Sequence, residues 1–134
     1  SKAKPESNSE PTSDTPLTSE ELYLMARVIE GEAANEPYMG KVAVGAVIMN
    51  RARHKEFPDS ISNVVYQPMA FCVVRTGLIN RTPTEESLRA ARAAAQGTDP
   101  TGGALYFFNP SKKINPWMWD RTHLAKIGNH NFAR

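Results

Sequence analysis

The chain has 134 residues, of which 40% are hydrophobic, and a formal net charge of +2. This length suits one folded domain, and no apolar run approaches the roughly 18 residues that a membrane span needs. The weak positive charge is too small to predict nucleic-acid binding, although it is compatible with an anionic polymer as a partner. The single cysteine, Cys72, excludes an intrachain disulfide framework.

Residues 1–16 predict a disordered linker. They contain three prolines, four serines and three acidic residues with almost nothing apolar, so they cannot bury a core. Such a linker would join a further segment to the folded domain, which we expect to comprise residues 17–134. No signal peptide opens the sequence.

Two long helices are predicted at the start of this domain. Thr18 and Glu21 form a capping-box pattern, and apolar residues then recur at helical spacing until about residue 34. The eight apolar residues 42–49 fit a buried helix or a buried strand equally well by periodicity. Their polar continuation through Arg53 favours a helix of about fourteen residues at the centre of the core.

Shorter elements are predicted in the remainder, from turn, cap and β-branched residues. In chain order they are a helix over 58–66, a hairpin over 71–79, a helix over 82–96, a turn over 99–103, a buried strand over 104–108 and a short helix over 122–127. The helix over 82–96 would have Thr82 as its N-cap, and the last helix would end at Gly128. The expected class is α+β, helix-dominated, a single domain with a small β portion.

Glu32 is the polar exception on the first predicted helix. At about 100° per residue it falls between Met25 and Ile29 on the apolar face, whereas Glu30 lies on the flank. Burying an ionised carboxylate is costly, so such a group is usually paired or protonated, and a protonated glutamate is what a general acid requires. Two plainer interpretations stay open, a structural ion pair or a helix that ends before Glu32 and leaves it in solvent.

Other reaction types find less support in the sequence. The three histidines and one cysteine lack metal-ligand spacing, so we expect no metal and no cofactor. Cys72 lies in an apolar predicted strand, where a cysteine is usually an inert small hydrophobe. Thiol alkylation would abolish the activity of a cysteine peptidase or amidase that used Cys72. A two-carboxylate glycosidase would have to recruit Glu30 or Glu36 beside Glu32.

Seven stretches spread along the domain match one family pattern. They are ARVIEGEA at 26–33, EPYMGKVAV at 36–44, VIMNR at 47–51, FP at 57–58, VYQP with a following phenylalanine at 65–71, DPTGGALYF with an Asn-Pro pair at 99–110, and IGNHNF at 127–132. Together they resemble the SleB-type cell wall hydrolase family, the germination-specific spore cortex-lytic enzymes. The resemblance implies a lysozyme-like, mainly helical domain that acts on peptidoglycan, with Glu32, the glutamate of the Gly-Glu-Ala string, as the catalytic acid.

The same resemblance implies lytic transglycosylation. This reaction cleaves between N-acetylmuramic acid and N-acetylglucosamine without water and leaves a 1,6-anhydro-muramoyl end, and Glu32 would act alone, first as acid and then as base. The side chains expected to contact sugar, or to line or flank the groove, are Tyr106, Asn109, Phe71, Arg75 and Trp117. Two positions depart from the family pattern, because Cys72 replaces a small hydroxyl residue and Phe108 replaces a tyrosine.

The expected partner is spore cortex peptidoglycan that contains muramic-δ-lactam, with no nucleic acid and no membrane span. The resemblance further implies secretion to the cortex, outside the inner membrane or in the spore coat, together with an upstream peptidoglycan-binding domain and a regulatory protein. We expect a monomer. Two alternatives stay open, a non-catalytic peptidoglycan-binding module and a two-carboxylate muramidase.

Overall fold

The computed structural model of the protein describes residues 16–134. Residues 1–15, which are nearly all of the expected linker, lie outside the described residues. Within 16–134, no helix is both long enough and apolar enough to cross a bilayer.

Two helices form the centre of the domain, α1 (Ser19–Ala33) and α2 (Tyr38–Arg53). The predicted capping box of α1 is confirmed, because Glu21 N donates to Thr18 Oγ1 at 3.1 Å and Thr18 N donates to Glu21 Oε1 at 2.8 Å. The apolar run 42–49 is buried throughout and is helical, as its polar continuation indicated. A helix that is apolar on all sides has to be surrounded by other elements.

Those surrounding elements are α1, α3 (Ile61–Val65), α5 (Glu85–Ala95) and a small sheet. The predicted helix over 58–66 is therefore confirmed in a shorter form, with Ser60 as N-cap through a 3.1 Å bond from Asn63 N. Gly45 of α2 permits the close approach of α5, since a Cβ there would lie 2.8 Å from the Cβ of Ala94. This packing fixes the position of α1, which carries Glu32.

The N-cap of α5 is Thr84, two residues after the predicted Thr82. Thr84 Oγ1 accepts a hydrogen bond from Ser87 N at 3.2 Å, so Pro83 precedes the helix instead of occupying its first turn. The choice is made by a contact from α1, because Glu30 Oε1 accepts from Thr84 N at 3.0 Å, from Thr84 Oγ1 at 2.9 Å and from Ser87 Oγ at 2.7 Å. Local sequence allowed both caps, and the tertiary contact selects one.

Glu30 should make the fold sensitive to acid. Partial burial raises the pKa of Glu30, but the hydrogen bonds from Ser87 and Thr84 outweigh it and leave that pKa below its ordinary value. A carboxylate with a lowered pKa in the folded state stabilises the fold above the unfolded value of about 4.3, and this contribution is lost as pH falls. We expect Glu30→Gln to lower Tm at neutral pH and to flatten the fall in Tm between about pH 5 and pH 3. The same dependence of Tm on pH in wild type and variant would contradict this. Glu85→Gln serves as the control, because Glu85 forms only an exposed ion pair.

The predicted hairpin over 71–79 is wrong. These residues form α4 (Cys72–Thr76) and a 3₁₀ turn (Leu78–Asn80), separated by Gly77 with a φ of +81°. The Thr-Gly pair that resembled a hairpin turn ends a helix here, since a left-handed glycine suits both structures. Val73 and Ile79 are buried in the core, and this burial outweighs the β propensity of the segment.

The predicted helix over 122–127 is also wrong. It is the strand β2 (His123–Ile127), which pairs antiparallel with β3 (His130–Ala133), and β3 pairs in turn with β1 (Tyr106–Phe108). The strand order is β1-β3-β2, and Gly128, with a φ of +60°, lies in the β2–β3 turn rather than at a helix end. Within residues 16–134 the domain thus combines a helical body with one three-stranded sheet, which confirms the helix-dominated α+β class.

Candidate active site

Glu32 lies in the last turn of α1 and is half-buried at one wall of a cleft. Its Oε2 accepts a hydrogen bond from Val73 N at 3.3 Å and one from Cys72 Sγ at 3.5 Å. Both donors belong to the first turn of α4, where backbone N–H groups have no partner inside the helix. The carboxylate is therefore held in one position by a neighbouring element.

Gly31 makes this contact possible. A Cβ at Gly31 would overlap Cγ1 of Val73 and would lie 3.0 Å from its Cβ. Real Cβ atoms do not approach other side chains so closely, so only glycine lets α4 approach α1 at this point. Gly31 thus allows α4 to pack close enough to α1 to donate hydrogen bonds to Glu32.

The cleft beside Glu32 has a volume of about 390 Å³. Its lining combines one carboxylate, one guanidinium, two amides, one thiol, five aromatic side chains and small or flexible apolar groups. These are contributed by Glu32, Arg51, Gln67, Asn115, Cys72, Phe57, Phe71, Tyr106, Phe107, Trp117, Met69, Met118 and Ala70. Aromatic faces with a few fixed polar groups are the usual composition of a saccharide site.

The structure brings four of the six residues predicted for the site to this cleft. Glu32, Phe71, Tyr106 and Trp117 all line it, although they come from α1, the start of α4, β1 and the 3₁₀ turn Pro116–Asp120. The Tyr106 and Trp117 rings meet edge to face, with centroids 5.1 Å apart. One wall of the cleft is therefore an aromatic pair.

Asn109 and Arg75 do not line the cleft. Asn109 Oδ1 accepts from Ser111 N at 2.9 Å and from Ser111 Oγ at 2.7 Å, so its side chain closes the turn that follows β1. Arg75 is exposed in the last turn of α4, where its charge acts on the Cys72 thiol. Their predicted contacts with sugar stay predictions.

Arg51 is the main cleft residue that the sequence analysis missed. It is 7% exposed, its Nε donates to Leu105 O at 2.7 Å, and its guanidinium lies 5.1 to 5.4 Å from the ring centroids of Phe57, Phe71 and Tyr106. Burial lowers the pKa of Arg51, with a partial offset from Tyr106. The side chain holds the aromatic wall together, whereas the sequence indicated only the polar end of a helix.

The preceding residue, Asn50, fixes the loop that leads into β1. Its Nδ2 donates to Asp99 Oδ2 and to Ala104 O, both at 3.0 Å. Asp99 also accepts from Thr101 and Gly103 N–H groups at 2.8 and 2.9 Å. The Asn-Arg pair at the end of α2 therefore positions Tyr106 relative to Glu32.

The other two acidic residues near Glu32 in sequence form their hydrogen bonds outside the cleft. Glu30 caps α5, as described above. Glu36 accepts hydrogen bonds from Asn129 N at 2.8 Å and Asn129 Nδ2 at 3.0 Å. Partial burial raises the pKa of Glu36, but these hydrogen bonds outweigh it and lower the pKa overall. Neither residue lines the cleft.

Cys72 is not the buried strand residue that the sequence predicted. It is exposed, in the first turn of α4, with its thiol donating to Glu32. Partial burial, together with the negative charge of Glu32, raises the pKa of this thiol. Because a thiolate is the reactive form of cysteine, the arrangement favours a hydrogen-bond donor over a nucleophile.

Substitutions of Cys72 should separate these two roles. Cys72→Ser keeps a donor beside Glu32 and should retain activity, and Cys72→Ala removes one donor and should lower the rate by about tenfold or less. If Cys72 were the nucleophile, both substitutions would abolish activity. Alkylation does not discriminate, because added bulk at Cys72 would obstruct Glu32 in either case. We expect iodoacetamide to inhibit the wild type and to leave Cys72→Ala unaffected.

The histidines occupy separate places. His54 follows α2, His123 stacks against Trp119, and His130 is buried against Phe107 with ring centroids 5.1 Å apart. Burial lowers the pKa of His130 in spite of the charges of Glu36 and Glu32. In the part of the chain that the structure describes, no group of three or more His, Cys, Asp or Glu side chains could hold a metal ion.

Comparison with known sequences gives a consistent set of relatives. The Cell Wall Hydrolase family matches residues 35–133. The spore cortex-lytic enzyme of Halalkalibacterium halodurans is 43% identical over 130 residues, which cover 96% of this chain and 39% of that protein. The spore cortex-lytic enzyme of Bacillus cereus is 45% identical over 114 residues, which cover 85% of this chain and 44% of that protein. The chain thus spans about two fifths of the length of these curated relatives.

Solved structures agree with the fold. The catalytic domain of the Bacillus cereus SleB protein has a TM-score of 0.86 at 41% identity, covering 95% of this chain and 100% of that one. The catalytic domain of the germination-specific lytic transglycosylase SleB from Bacillus anthracis has a TM-score of 0.84 at 42% identity, covering 88% and 97%. The resemblance seen in the sequence is confirmed, and this chain belongs to the cell wall hydrolase family and has the fold of the SleB catalytic domain.

Proposed function

We propose that the chain is the catalytic domain of a lytic transglycosylase that cleaves spore cortex peptidoglycan during germination, with Glu32 as its single acid and base. The relatives named above are cortex-lytic enzymes and a lytic transglycosylase, which supports this substrate and reaction. The natural location of such an enzyme is the cortex, outside the inner membrane.

The observation that carries the proposal is the presence of one carboxylate in the cleft. Among the described residues that line it, Glu32 alone is acidic. Glu30 and Glu36 are held by Thr84, Ser87 and Asn129 on other parts of the surface. A two-carboxylate mechanism needs a second acid across the scissile bond, and no described residue of the lining supplies one.

A transglycosylase needs only one such group. Glu32 in its protonated form gives its proton to the glycosidic oxygen as the bond from that oxygen to C1 of muramic acid breaks. The resulting oxocarbenium-like centre is stabilised by the acetamido group of the substrate, in the manner of substrate-assisted glycosidases. The C6 hydroxyl then bonds to C1 and returns its proton to the Glu32 carboxylate. No water is consumed, and the acid is regenerated.

The cleft lining suits this polymer. Phe71, Tyr106 and Trp117 present apolar surfaces to sugar rings, and Gln67 and Asn115 provide amides for hydroxyl and acetamido groups. A muramic-δ-lactam ring would place a further apolar face against this wall. These contacts would orient the glycosidic oxygen towards Glu32.

Product analysis tests the proposal. Cortex peptidoglycan would be digested in water enriched in heavy oxygen, and the fragments would be separated and weighed by mass spectrometry before and after borohydride reduction. We expect anhydro-muramoyl ends that carry no heavy oxygen and resist reduction. Reducible ends that carry the label would establish a muramidase, and bound but intact strands would establish a binding module.

A further inference from the structure

One wall of the cleft is attached to the sheet by two aromatic contacts. Tyr106 and Phe108 lie two residues apart on β1, so their side chains share one face of the strand. The 3₁₀ turn Pro116–Asp120 contacts both of them. The Trp117 ring meets the Tyr106 ring edge to face, and the Trp119 ring meets the Phe108 ring in the same way, each with centroids 5.1 Å apart. The turn is therefore attached to β1 at two points.

No buried side chain anchors this turn. None of its residues is buried, and Trp117 and Trp119 are 46% and 51% exposed. Its backbone is held by hydrogen bonds from Trp117 N to Asn115 Oδ1 at 2.9 Å and from Arg121 N to Met118 O at 3.3 Å. A segment with few buried apolar contacts opens at a low cost in free energy. The ring contacts of Trp117 therefore decide where this part of the wall lies.

Arg121, which follows the turn, contacts both rings of the wall. Its Cζ lies 4.6 Å from the ring centroid of Trp117 and 5.3 Å from that of Tyr106, distances at which a guanidinium is attracted to an aromatic ring. Within residues 16–134, no acidic side chain pairs with Arg121, and its buried Nε has no hydrogen-bond partner. Arg51 differs, because its Nε donates to Leu105 O. The guanidinium of Arg121 is thus placed against the two rings rather than against an acid.

The two rings are not equally fixed. Tyr106 belongs to β1, which pairs with β3, and the Arg51 guanidinium lies 5.4 Å from its ring centroid. Trp117 belongs to the turn without buried residues. Because Arg121 contacts both, it joins the less fixed ring to the more fixed one. A ring that is held in place before a ligand arrives does not have to be ordered during binding, and this strengthens binding.

We propose that Arg121 is a positioning residue, which holds Trp117 against Tyr106 so that the aromatic wall of the cleft is formed before glycan binds. The identity of that glycan rests on the proposed function. Because the guanidinium acts through the two rings and not on Glu32, its loss should weaken binding and leave the chemical step nearly unchanged.

Steady-state kinetics on cortex strands test this separation of binding from chemistry. Arg121→Gln removes the charge and keeps much of the side-chain length. We expect KM to rise about threefold to tenfold, the scale of a cation–π contact, with kcat within about twofold of the wild type. Arg121→Lys keeps a cation near the rings and should restore part of the loss. Arg134→Gln is the control, since Arg134 carries the same charge and is exposed after β3, and its KM should stay near that of the wild type.

Fluorescence of Trp117 reports the position of the wall directly. The sequence contains two tryptophans, so Trp119→Phe leaves Trp117 as the only one and keeps a ring beside Phe108. In this background and without substrate, we expect Arg121→Gln to lower the anisotropy of Trp117 and to increase its quenching by acrylamide. Arg121→Lys should lie between the two. If Arg121→Gln melts far below the wild type, the Arg121→Lys variant supports the same comparison of KM with the Trp117 signal.

An unchanged KM in Arg121→Gln would overturn the proposal. A raised KM with an unchanged Trp117 signal would also overturn it, because Arg121 would then contact the substrate itself, for example a carboxylate. Equal losses in Arg121→Gln and Arg134→Gln would do the same, since they would reflect a general attraction to an anionic polymer. Reducible products would defeat the proposed function alone, because KM and the Trp117 signal report on the wall under either cleavage mechanism.

Discussion

Glu32→Gln should lower the rate of cortex cleavage by about 10²- to 10⁴-fold, the range attributed to general acid–base catalysis. The amide keeps the size of the glutamate and an oxygen that can accept from Val73 N–H, which lies 3.3 Å from Glu32 Oε2 in the wild type. It can neither give the proton that the leaving oxygen needs nor take the proton from the C6 hydroxyl. The variant should therefore fold, bind peptidoglycan and fail in chemistry. Initial rates on purified cortex, with melting curves for both proteins, measure this.

Two matched variants serve as controls for Glu32→Gln. Glu30→Gln and Glu36→Gln change the same atoms on residues that lie close in sequence but hold other parts of the fold. We expect both to affect stability more than rate. A two-carboxylate muramidase would behave differently, because loss of its second acid would be nearly as damaging as loss of the first. Comparable rate losses at Glu30 or Glu36, together with reducible products, would defeat the single-glutamate mechanism.

Gly31→Ala should be the most damaging change at a residue with no chemical role. The new methyl group would overlap Val73, so α4 has to move away from α1 and withdraw the two donors that hold Glu32. Alanine favours a helix by about 1 kcal/mol over glycine. The steric conflict costs about 1 to 3 kcal/mol, so we expect Gly31→Ala to destabilise the fold overall. A displacement near 1 Å at a catalytic group can cost about 10²-fold in rate, and we expect a loss of that order.

Gly40→Ala is the control for this experiment. Gly40 is also a helical glycine, but a Cβ there meets nothing closer than 3.1 Å, and it lies on α2 beside Glu36 and Pro37. It should leave the rate close to that of the wild type. Rate and Tm measured for both variants would separate a general cost of filling a glycine site from the specific loss of support for Glu32. Equal rate losses in the two variants would contradict the role assigned to Gly31.

Several features were predictable because their signals are local. The capping box at Thr18 and Glu21 depends on residues three apart, and the apolar stripe of α1 depends on helical spacing alone. The same spacing placed Glu32 on the inner face of that helix, where the structure has it half-buried. The identification of α2 as a helix also needed only the length of its apolar run and its polar continuation.

The errors arose where distant residues compete with local preference. Residues 123–127 are a strand because β3 lies beside them, and a pattern limited to six residues cannot register that partner. Val73 and Ile79 are buried against the helices, which favours α4 over a hairpin. Thr84 became the cap of α5 because Glu30, more than fifty residues earlier, accepts its hydrogen bonds.

The sequence by itself determined the helical body, the catalytic candidate Glu32 and the family to which the chain belongs, since these depend on short-range spacing and on ordered motifs. Only the tertiary structure decided which side chains surround that glutamate. Arg51 and Cys72 reach the cleft, and Asn109 and Arg75 stay outside it, because those placements depend on how α2, α4 and β1 pack. Chain folding brings such elements together through buried contacts between residues far apart in sequence, and no local pattern records them.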